Sequence, residues 1–192
     1  MNITNTMIQK IFQTIILTAI FLFTQSRAYA SEISEQSAQL EQFYQSSRED
    51  QNKLQKELIH TMVIRNVLAK YNSPLVHEAE HFTMVARALK LDPYLLPSIT
   101  GVESTFAQHM IQGTFNPFGY GKGTIRFTSW SDGISRVGYA LKFRYMDKGA
   151  TSLHEIGHIY AGGSTTWAPK VARIMNTFDE EEERINRYYE LL

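Results

Sequence analysis

The feature that most constrains this chain is a run of apolar residues at helical spacing, which begins at Leu54 and is divided by two cap-and-proline pairs. Apolar residues three and four positions apart predict helices that bury one face. Ser73-Pro74 and Asp92-Pro93 each join a good N-cap to a proline at the first helical position, so each pair predicts a new helix. The predicted helices run from Leu54 to about Tyr71, from Pro74 to about Lys90, and from Pro93 to Glu103.

The segment that follows Glu103 has a different character. Four glycines lie within residues 107–130, and the alternation over residues 124–128 predicts a short strand. Further helix starts are predicted at Ser131-Asp132, Ser152, Thr165 or Thr166, and Asp179, with Gly162-Gly163 ending one helix. We therefore expect a mainly α fold with a small β or irregular insertion directly after Glu103.

Composition limits the function classes. The 192 residues are 43% hydrophobic, enough for one domain with a core, and they include no cysteine. A disulfide framework, a thiolate metal site and a cysteine nucleophile are thus excluded. A formal net charge of zero argues against nucleic acid as a partner.

The N-terminal segment predicts export. Residues 11–23 are almost purely apolar, and Ala28-Tyr29-Ala30 has the small-x-small pattern of a cleavage site. We interpret residues 1–30 as a signal peptide that directs the protein to the periplasm, cell wall or exterior, and a retained anchor with transient membrane contact is the alternative. Residues 31–53 are predicted to be a polar helical stalk, residues 54–178 the main domain, and residues 179–192 an acidic C-terminal helix.

Glu103 is the candidate catalytic residue. It follows a long apolar run and precedes a loop rich in Gly, Asn and aromatic residues. Apolar surroundings disfavour the carboxylate anion, so the pKa of Glu103 should rise and the group should hold a proton near neutral pH. Cleavage of a glycosidic bond requires such an acid. The alternative is a solvent-facing glutamate at a helix end.

Four segments around Glu103 resemble a known family. They are Val102-Glu-Ser-Thr-Phe106, Asn116-Pro-Phe-Gly119, Phe127-Thr-Ser-Trp-Ser-Asp-Gly-Ile134, and Tyr160-Ala161 followed by Trp167-Ala-Pro-Lys-Val171. In this order they resemble the bacterial glucosaminidase domains of the lysozyme-like superfamily, which cut peptidoglycan. Lytic transglycosylases share the Glu-Ser and Asn-x-x-Gly elements.

The resemblance implies a lysozyme-like helical fold, a peptidoglycan glycan strand as the partner, a monomer, and no cofactor. It implies that Glu103 is the general acid and that Tyr160 assists it by orienting an acetamido group or water. The implied substrate-binding residues are Ser104, Asn116, Phe118, Gly119, Tyr120 and Trp130. Residues 105–130 contain no Asp or Glu, so Glu103 is expected to act without a second loop carboxylate. The substrate's acetamido group would then give hydrolysis, whereas its 6-hydroxyl would give an anhydro-sugar.

A rival motif comes from another class of enzyme. His154-Glu-Ile-Gly-His158 matches H-E-x-x-H, in which two histidines on one helix face bind zinc and the glutamate acts as base. Gly157 weakens such a helix, and Ala161 and Ser164 stand where an extended zinc motif needs other residues. A zinc metalloprotease using His154, Glu155 and His158 remains the alternative prediction.

Overall fold

The computed structural model describes residues 3–191 of the chain. This part is mainly α-helical and contains no β-strand, which confirms the predicted mainly α class. The helices are α1 (Ile3–Lys70), α2 (Ala79–Leu89), α3 (Leu95–Ser104), α4 (Trp130–Tyr139), α5 (Leu153–Tyr160) and α6 (Trp167–Glu190). Shorter elements are the 3₁₀ turns Pro74–Glu78 and Met146–Lys148 and a π-helical turn, Ala140–Tyr145.

The chain divides into two compact units, residues 1–53 and residues 54–192. In the first unit, residues 31–53 are helical, as predicted for the polar segment. The large apolar side chains described between Phe12 and Phe23 are exposed, while the side chains of residues 28–30, the predicted cleavage pattern, lie outside the described residues. No helix within residues 3–191 has an apolar stretch long enough to cross a membrane.

The second unit has one hydrophobic core. The end of α1 contributes Val63, Ile64, Val67 and Leu68, all fully buried at the three-and-four spacing seen in the sequence. Helix α3 packs mainly against α6, α2 packs against α4, and α5 packs against α6. Because α6 contacts both α3 and α5, its first residues lie where these two helices meet.

Local capping explains the helix starts that were predicted correctly. Ser73 Oγ accepts a hydrogen bond from Leu75 N at 3.0 Å, and Asp92 Oδ1 accepts one from Tyr94 N at 2.8 Å. Ser152 and Glu155 form a reciprocal capping box at the start of α5. Ser73 and Ser152 satisfy backbone N–H groups that a helix start leaves without partners, whereas the Asp92 bond closes the turn before α3, which begins at Leu95.

Three local predictions were wrong. Residues 124–128 are irregular and form no strand, because a strand needs a neighbouring strand and the described chain offers none. The cap of α4 is Ser129, whose Oγ accepts from Asp132 N at 3.1 Å, two residues before the predicted start. No helix begins at Asp179, because α6 continues through this position with Val171, Phe178 and Ile185 buried on one face. The acidic residues 179–183 therefore lie in the middle of α6.

Candidate active site

Glu103 lies one residue before the end of α3 and is partly buried. Its Oε1 accepts a hydrogen bond from the indole Nε1–H of Trp167 at 2.7 Å. Burial raises the pKa of Glu103, and this effect exceeds the opposing effects of the Trp167 hydrogen bond and the positive charge of Lys170. The direction of this pKa shift is the one that the apolar surroundings predicted.

The indole of Trp167 packs directly against a glycine of the neighbouring helix. Trp167 is the first residue of α6 and is only 4% exposed. A Cβ atom at Gly157 of α5 would lie 2.6 Å from Trp167 Cε3, which is closer than packed atoms can approach. The absence of a side chain at position 157 thus leaves room for the indole that contacts Glu103.

The indole also affects which carboxyl oxygen carries the proton. A tryptophan N–H can only donate, so Glu103 Oε1 accepts in both protonation states. The carbonyl oxygen is the stronger acceptor of a neutral carboxyl, so the indole favours the proton on Oε2, which accepts no hydrogen bond from the described residues. A Cβ atom at Gly119 would lie 2.9 Å from this oxygen, and the φ of Gly119 is +61°. Both its backbone conformation and its position against Glu103 favour glycine here.

Tyr160 packs against the indole of Trp167, and further tyrosines pack against Tyr160. The Tyr160 ring lies 5.3 Å from the ring of Trp167 and 6.2 Å from the ring of Tyr120, and its hydroxyl donates to Phe118 O at 2.6 Å. Burial, and then the charge of Glu103, raise the pKa of Tyr160 well above its ordinary value. Burial is also the main cause that raises the pKa of Tyr145 to about 12. The hydroxyls of Tyr160 and Tyr145 are therefore neutral at physiological pH.

The structure brings together Glu103, Gly119, Tyr120 and Tyr160 of the predicted site residues. Sequence reasoning did not assign a site role to Trp167, Lys170 or Tyr145. The signal for the first two was present, because both belong to the Trp-Ala-x-Lys segment of the resemblance. Tyr145 belongs to none of the segments of the resemblance, and only the packing of its ring, 6.4 Å from the ring of Tyr160, reveals its place.

Ser104 was predicted to bind substrate, but its side chain is buried and shapes the loop. Its hydroxyl lies 2.6 Å from Pro117 O and accepts from Ala107 N at 2.9 Å. These bonds hold a turn in which three successive residues other than glycine, Thr105 to Ala107, have φ values of +52°, +56° and +69°. Such a conformation costs about 1 kcal/mol or more for each residue, so the turn needs this support.

Asn116 and Phe118 were also predicted to bind substrate, but both side chains are buried. Asn116 is 2% exposed, and its amide donates to the carbonyls of Tyr120 and Ile125 and accepts from Tyr120 N. Phe118 is fully buried in the core. These two residues were singled out correctly as special, but they fold the loop that carries Gly119 and Tyr120, because every polar group of a buried side chain needs a partner.

Trp130 contacts a residue other than those around Glu103. Its ring packs edge-on against Phe115, with ring centroids 5.0 Å apart. Asp132, the nearest carboxylate after the loop, accepts hydrogen bonds from Thr128 N at 2.9 Å and from Arg136 at 2.7 Å. Asp132 thus stabilises the first turn of α4, and Glu103 is the carboxyl that contacts Trp167.

The H-E-x-x-H segment does form a helix, α5, but Glu155 has a different role. Glu155 Oε2 accepts from the backbone N–H groups of Thr151 and Ser152 at 2.8 and 2.9 Å. These hydrogen bonds lower the pKa of Glu155. His154 and His158 are exposed, and the described residues contain no group of three His, Cys, Asp or Glu side chains able to hold a metal ion. Capping and the Gly157 contact therefore explain the residues of this segment.

A scan against models of known protein families and a search of curated proteins found no match to this chain.

Proposed function

We propose that the chain is an exported glycosidase with a lysozyme-like fold that cleaves the β-1,4-linked glycan strand of peptidoglycan, with Glu103 as general acid. The observation that carries this proposal is the Glu103 carboxyl, whose pKa is raised by burial and whose Oε1 accepts from Trp167, which favours the proton on Oε2. A carboxyl whose pKa is raised keeps its proton to higher pH than an ordinary glutamate does, and this suits it to protonating a leaving alcohol.

In the proposed reaction, Glu103 transfers its proton from Oε2 to the bridging oxygen as the bond between that oxygen and the anomeric carbon breaks. The carbonyl oxygen of the adjacent acetamido group forms the new bond to that carbon. A water molecule then displaces the acetamido oxygen and returns a proton to the Glu103 carboxylate. Atoms and charge balance over the two steps with one carboxyl group, in keeping with the acid-free loop of residues 105–130.

Tyr160 has a more specific role in this scheme than the sequence suggested. Its O–H is already donated to Phe118 O, so its remaining capacity is as an acceptor. An acceptor at this position suits the N–H of the acetamido group, which must be held with its carbonyl oxygen toward the anomeric carbon. We assign Tyr160 to positioning the substrate, with its proton retained throughout.

The second candidate is a lytic transglycosylase that uses the same acid. It is favoured by the same lack of a loop carboxylate, because the 6-hydroxyl of the sugar can take the place of water. Mass spectrometry of fragments released from purified peptidoglycan distinguishes the two, since an anhydro product is lighter than the hydrolytic product by one water. The E103Q variant should release neither, and release at the parent rate would contradict the assignment of Glu103.

A further inference from the structure

Two surface cavities have linings that are connected to Glu103 or Tyr160, and both linings are basic. The first, the Tyr120 cavity, has a volume of about 340 Å³ and lies between Tyr120, Tyr139, Arg136 and Arg144. The second, the Lys170 cavity, has a volume of about 390 Å³ and lies between Thr165, Thr166, Pro169, Lys170 and Arg173. Each contains two basic residues and, among the described residues, no acidic one, although the chain as a whole has equal numbers of each sign.

Both cavities are tied to the candidate catalytic residues by named contacts. The Tyr120 ring, which lines the first cavity, lies 6.2 Å from the ring of Tyr160. Lys170, which lines the second, is three residues after Trp167 on α6 and acts electrostatically on Glu103. Glu103 itself lines neither cavity. The cavities are therefore suited to binding neighbouring parts of a long substrate while one bond is held at the acid.

Most of these cations are without a protein counter-ion. Arg136 is paired with Asp132 at 2.7 Å, but Arg144, Lys170 and Arg173 form no ion pair with any described residue. Lys70, Arg87 and Lys142 of the same unit have acidic partners, and Arg65, which forms no ion pair with a described residue, lines a groove that contains Glu57 and Glu80. Three exposed and unpaired cations in two cavities beside one acid indicate that the ligand supplies the negative charge.

The chemical class of that negative charge follows from the proposed substrate, so this inference rests on the proposed function. A β-1,4-linked strand of N-acetylglucosamine alone is uncharged. Peptidoglycan carries carboxylates, either on the lactyl ether of every second sugar or on the peptide attached there. Arginine binds carboxylates with two parallel hydrogen bonds, which gives geometric selectivity in addition to charge.

We infer that Arg144 and Arg173 bind substrate carboxylates in the Tyr120 and Lys170 cavities, and that they make the enzyme select carboxylate-bearing glycan strands over uncharged strands of the same linkage. Arg144 and Arg173 are specificity residues in this assignment, distinct from the acid. Because both are exposed, each interaction is expected to contribute roughly a three- to fivefold preference, and the preference should weaken as salt is added.

The test compares kcat/KM of the full-length protein on three substrates, namely peptidoglycan with its peptides, peptide-free glycan strands with free lactyl carboxylates, and N-acetylglucosamine hexasaccharide. The ratio of kcat/KM on the charged substrate to that on the hexasaccharide should fall roughly three- to fivefold in R144Q and in R173Q, and about tenfold or more in the double variant. R65Q is the matched control, because Arg65 is exposed, forms no ion pair with a described residue, and lines a groove between α1 and α2. Its ratio should equal that of the parent.

The source of the carboxylate is read from the same series. A preference that persists on peptide-free strands assigns the lactyl group, and one that vanishes there assigns the peptide. An equal loss of the ratio in R65Q, or an unchanged ratio in R144Q and R173Q, overturns the inference while leaving glycan cleavage intact.

A separate binding measurement covers the case in which nothing is cleaved. Co-sedimentation of the protein with insoluble peptidoglycan is compared with co-sedimentation with the same material after methyl esterification of its carboxylates. Binding that esterification and the R144Q–R173Q double variant both reduce supports the carboxylate sites even where the proposed catalysis fails. Binding that is indifferent to esterification contradicts them.

Discussion

Two partly or fully buried glutamates of this protein have opposite acid–base behaviour. Glu181 on α6 is 2% exposed and accepts hydrogen bonds from Lys70 at 2.7 Å and from the Arg184 guanidinium. The hydrogen bonds from Arg184, followed by other effects that include Lys70, lower the pKa of Glu181 to about 2. Glu103 is less buried but has the neutral donor Trp167, and its pKa is raised. Burial decides the direction of the pKa shift at Glu103, whereas hydrogen bonds from charged donors outweigh burial at Glu181.

The two glutamates differ in the groups around them. Glu181 is a carboxylate that links two helices, whereas Glu103 is the carboxyl of the proposed acid. Glu181 joins α6 to α1, because it also accepts from Asn66 at 2.8 Å and a salt bridge connects it to Lys70. Its oxygens are fully occupied. Glu103 has one oxygen held by Trp167 and one without a described donor. The same residue type therefore serves two purposes according to the groups that each site supplies.

The largest expected effect is on catalysis in E103Q. We expect glycan cleavage to fall by about 10²–10⁴-fold, because the proton donor is lost. The free energy of unfolding at pH 7 should not fall. A group whose folded pKa is raised makes the folded state less stable as pH rises from its ordinary value through the folded value, and glutamine removes that ionisation. Urea denaturation and a cleavage assay measure both, and a marked loss of stability in E103Q would break the contrast with Glu181.

The W167F variant changes the donor to Glu103 while keeping an aromatic ring. We expect kcat/KM to fall about tenfold, because one hydrogen bond to the carboxyl is lost. The indole hydrogen bond lowers the pKa of Glu103, so its removal should move the alkaline limb of the pH–rate profile to higher pH. W130F is the control, because Trp130 packs against Phe115. An alkaline limb that moves equally in both variants would show that the indole does not act through Glu103.

The E181Q variant should lower the free energy of unfolding at pH 7 by about 1–3 kcal/mol, because charged hydrogen bonds from Lys70 and Arg184 lose their anionic partner. The pKa of Glu181 is depressed, so its stabilisation is present above the ordinary value of 4.5 and is lost as pH falls toward about 2. The difference between parent and variant in urea denaturation should therefore shrink below pH 4.5.

The matched control for E181Q is E183Q. Glu183 is 73% exposed and pairs with Arg187 at 3.5 Å, so its replacement should change the free energy of unfolding by less than about 0.5 kcal/mol. A gap between E181Q and the parent that grows on acidification would contradict the assigned direction of the pKa shift.

The smallest expected effect belongs to the histidines of the H-E-x-x-H segment. H154Q, H158Q and treatment with a chelator should leave glycan cleavage within about twofold of the parent, because both side chains are exposed and Glu155 is occupied as a helix cap. Metal analysis of the purified protein accompanies the assay. Chelator-sensitive proteolysis with stoichiometric metal would instead support the metalloprotease alternative.

The helix starts were predictable because their causes are local. Ser73 and Ser152 each cap a backbone N–H two or three positions further along the chain. The strand at residues 124–128 was not predictable, since period-two alternation becomes a strand only beside a partner. The false start at Asp179 has a similar reason, because acidic residues favour a first helical turn but are also tolerated in the middle of a helix.

The candidate site was predictable in its acid and less so in its surroundings. Glu103 was found from apolar neighbours in its own helix, which are local in sequence. Asn116 was marked as special, but whether a buried amide faces a ligand or the loop itself depends on the carbonyls of Tyr120 and Ile125 around it. Trp167 lies 64 residues beyond Glu103, and only the packing of α6 against α3 brings them into contact.

The hydrogen bond from Trp167 to Oε1 of Glu103 has a stereochemical consequence. In the proposed reaction, Trp167 occupies Oε1, so the proton that leaves and the proton that returns are both expected to pass through Oε2. The departing alcohol and the entering water are then served from one side of the sugar ring, so hydrolysis should retain the β configuration. Proton magnetic resonance of the first turnovers should show the β-anomer accumulating before mutarotation produces its α counterpart.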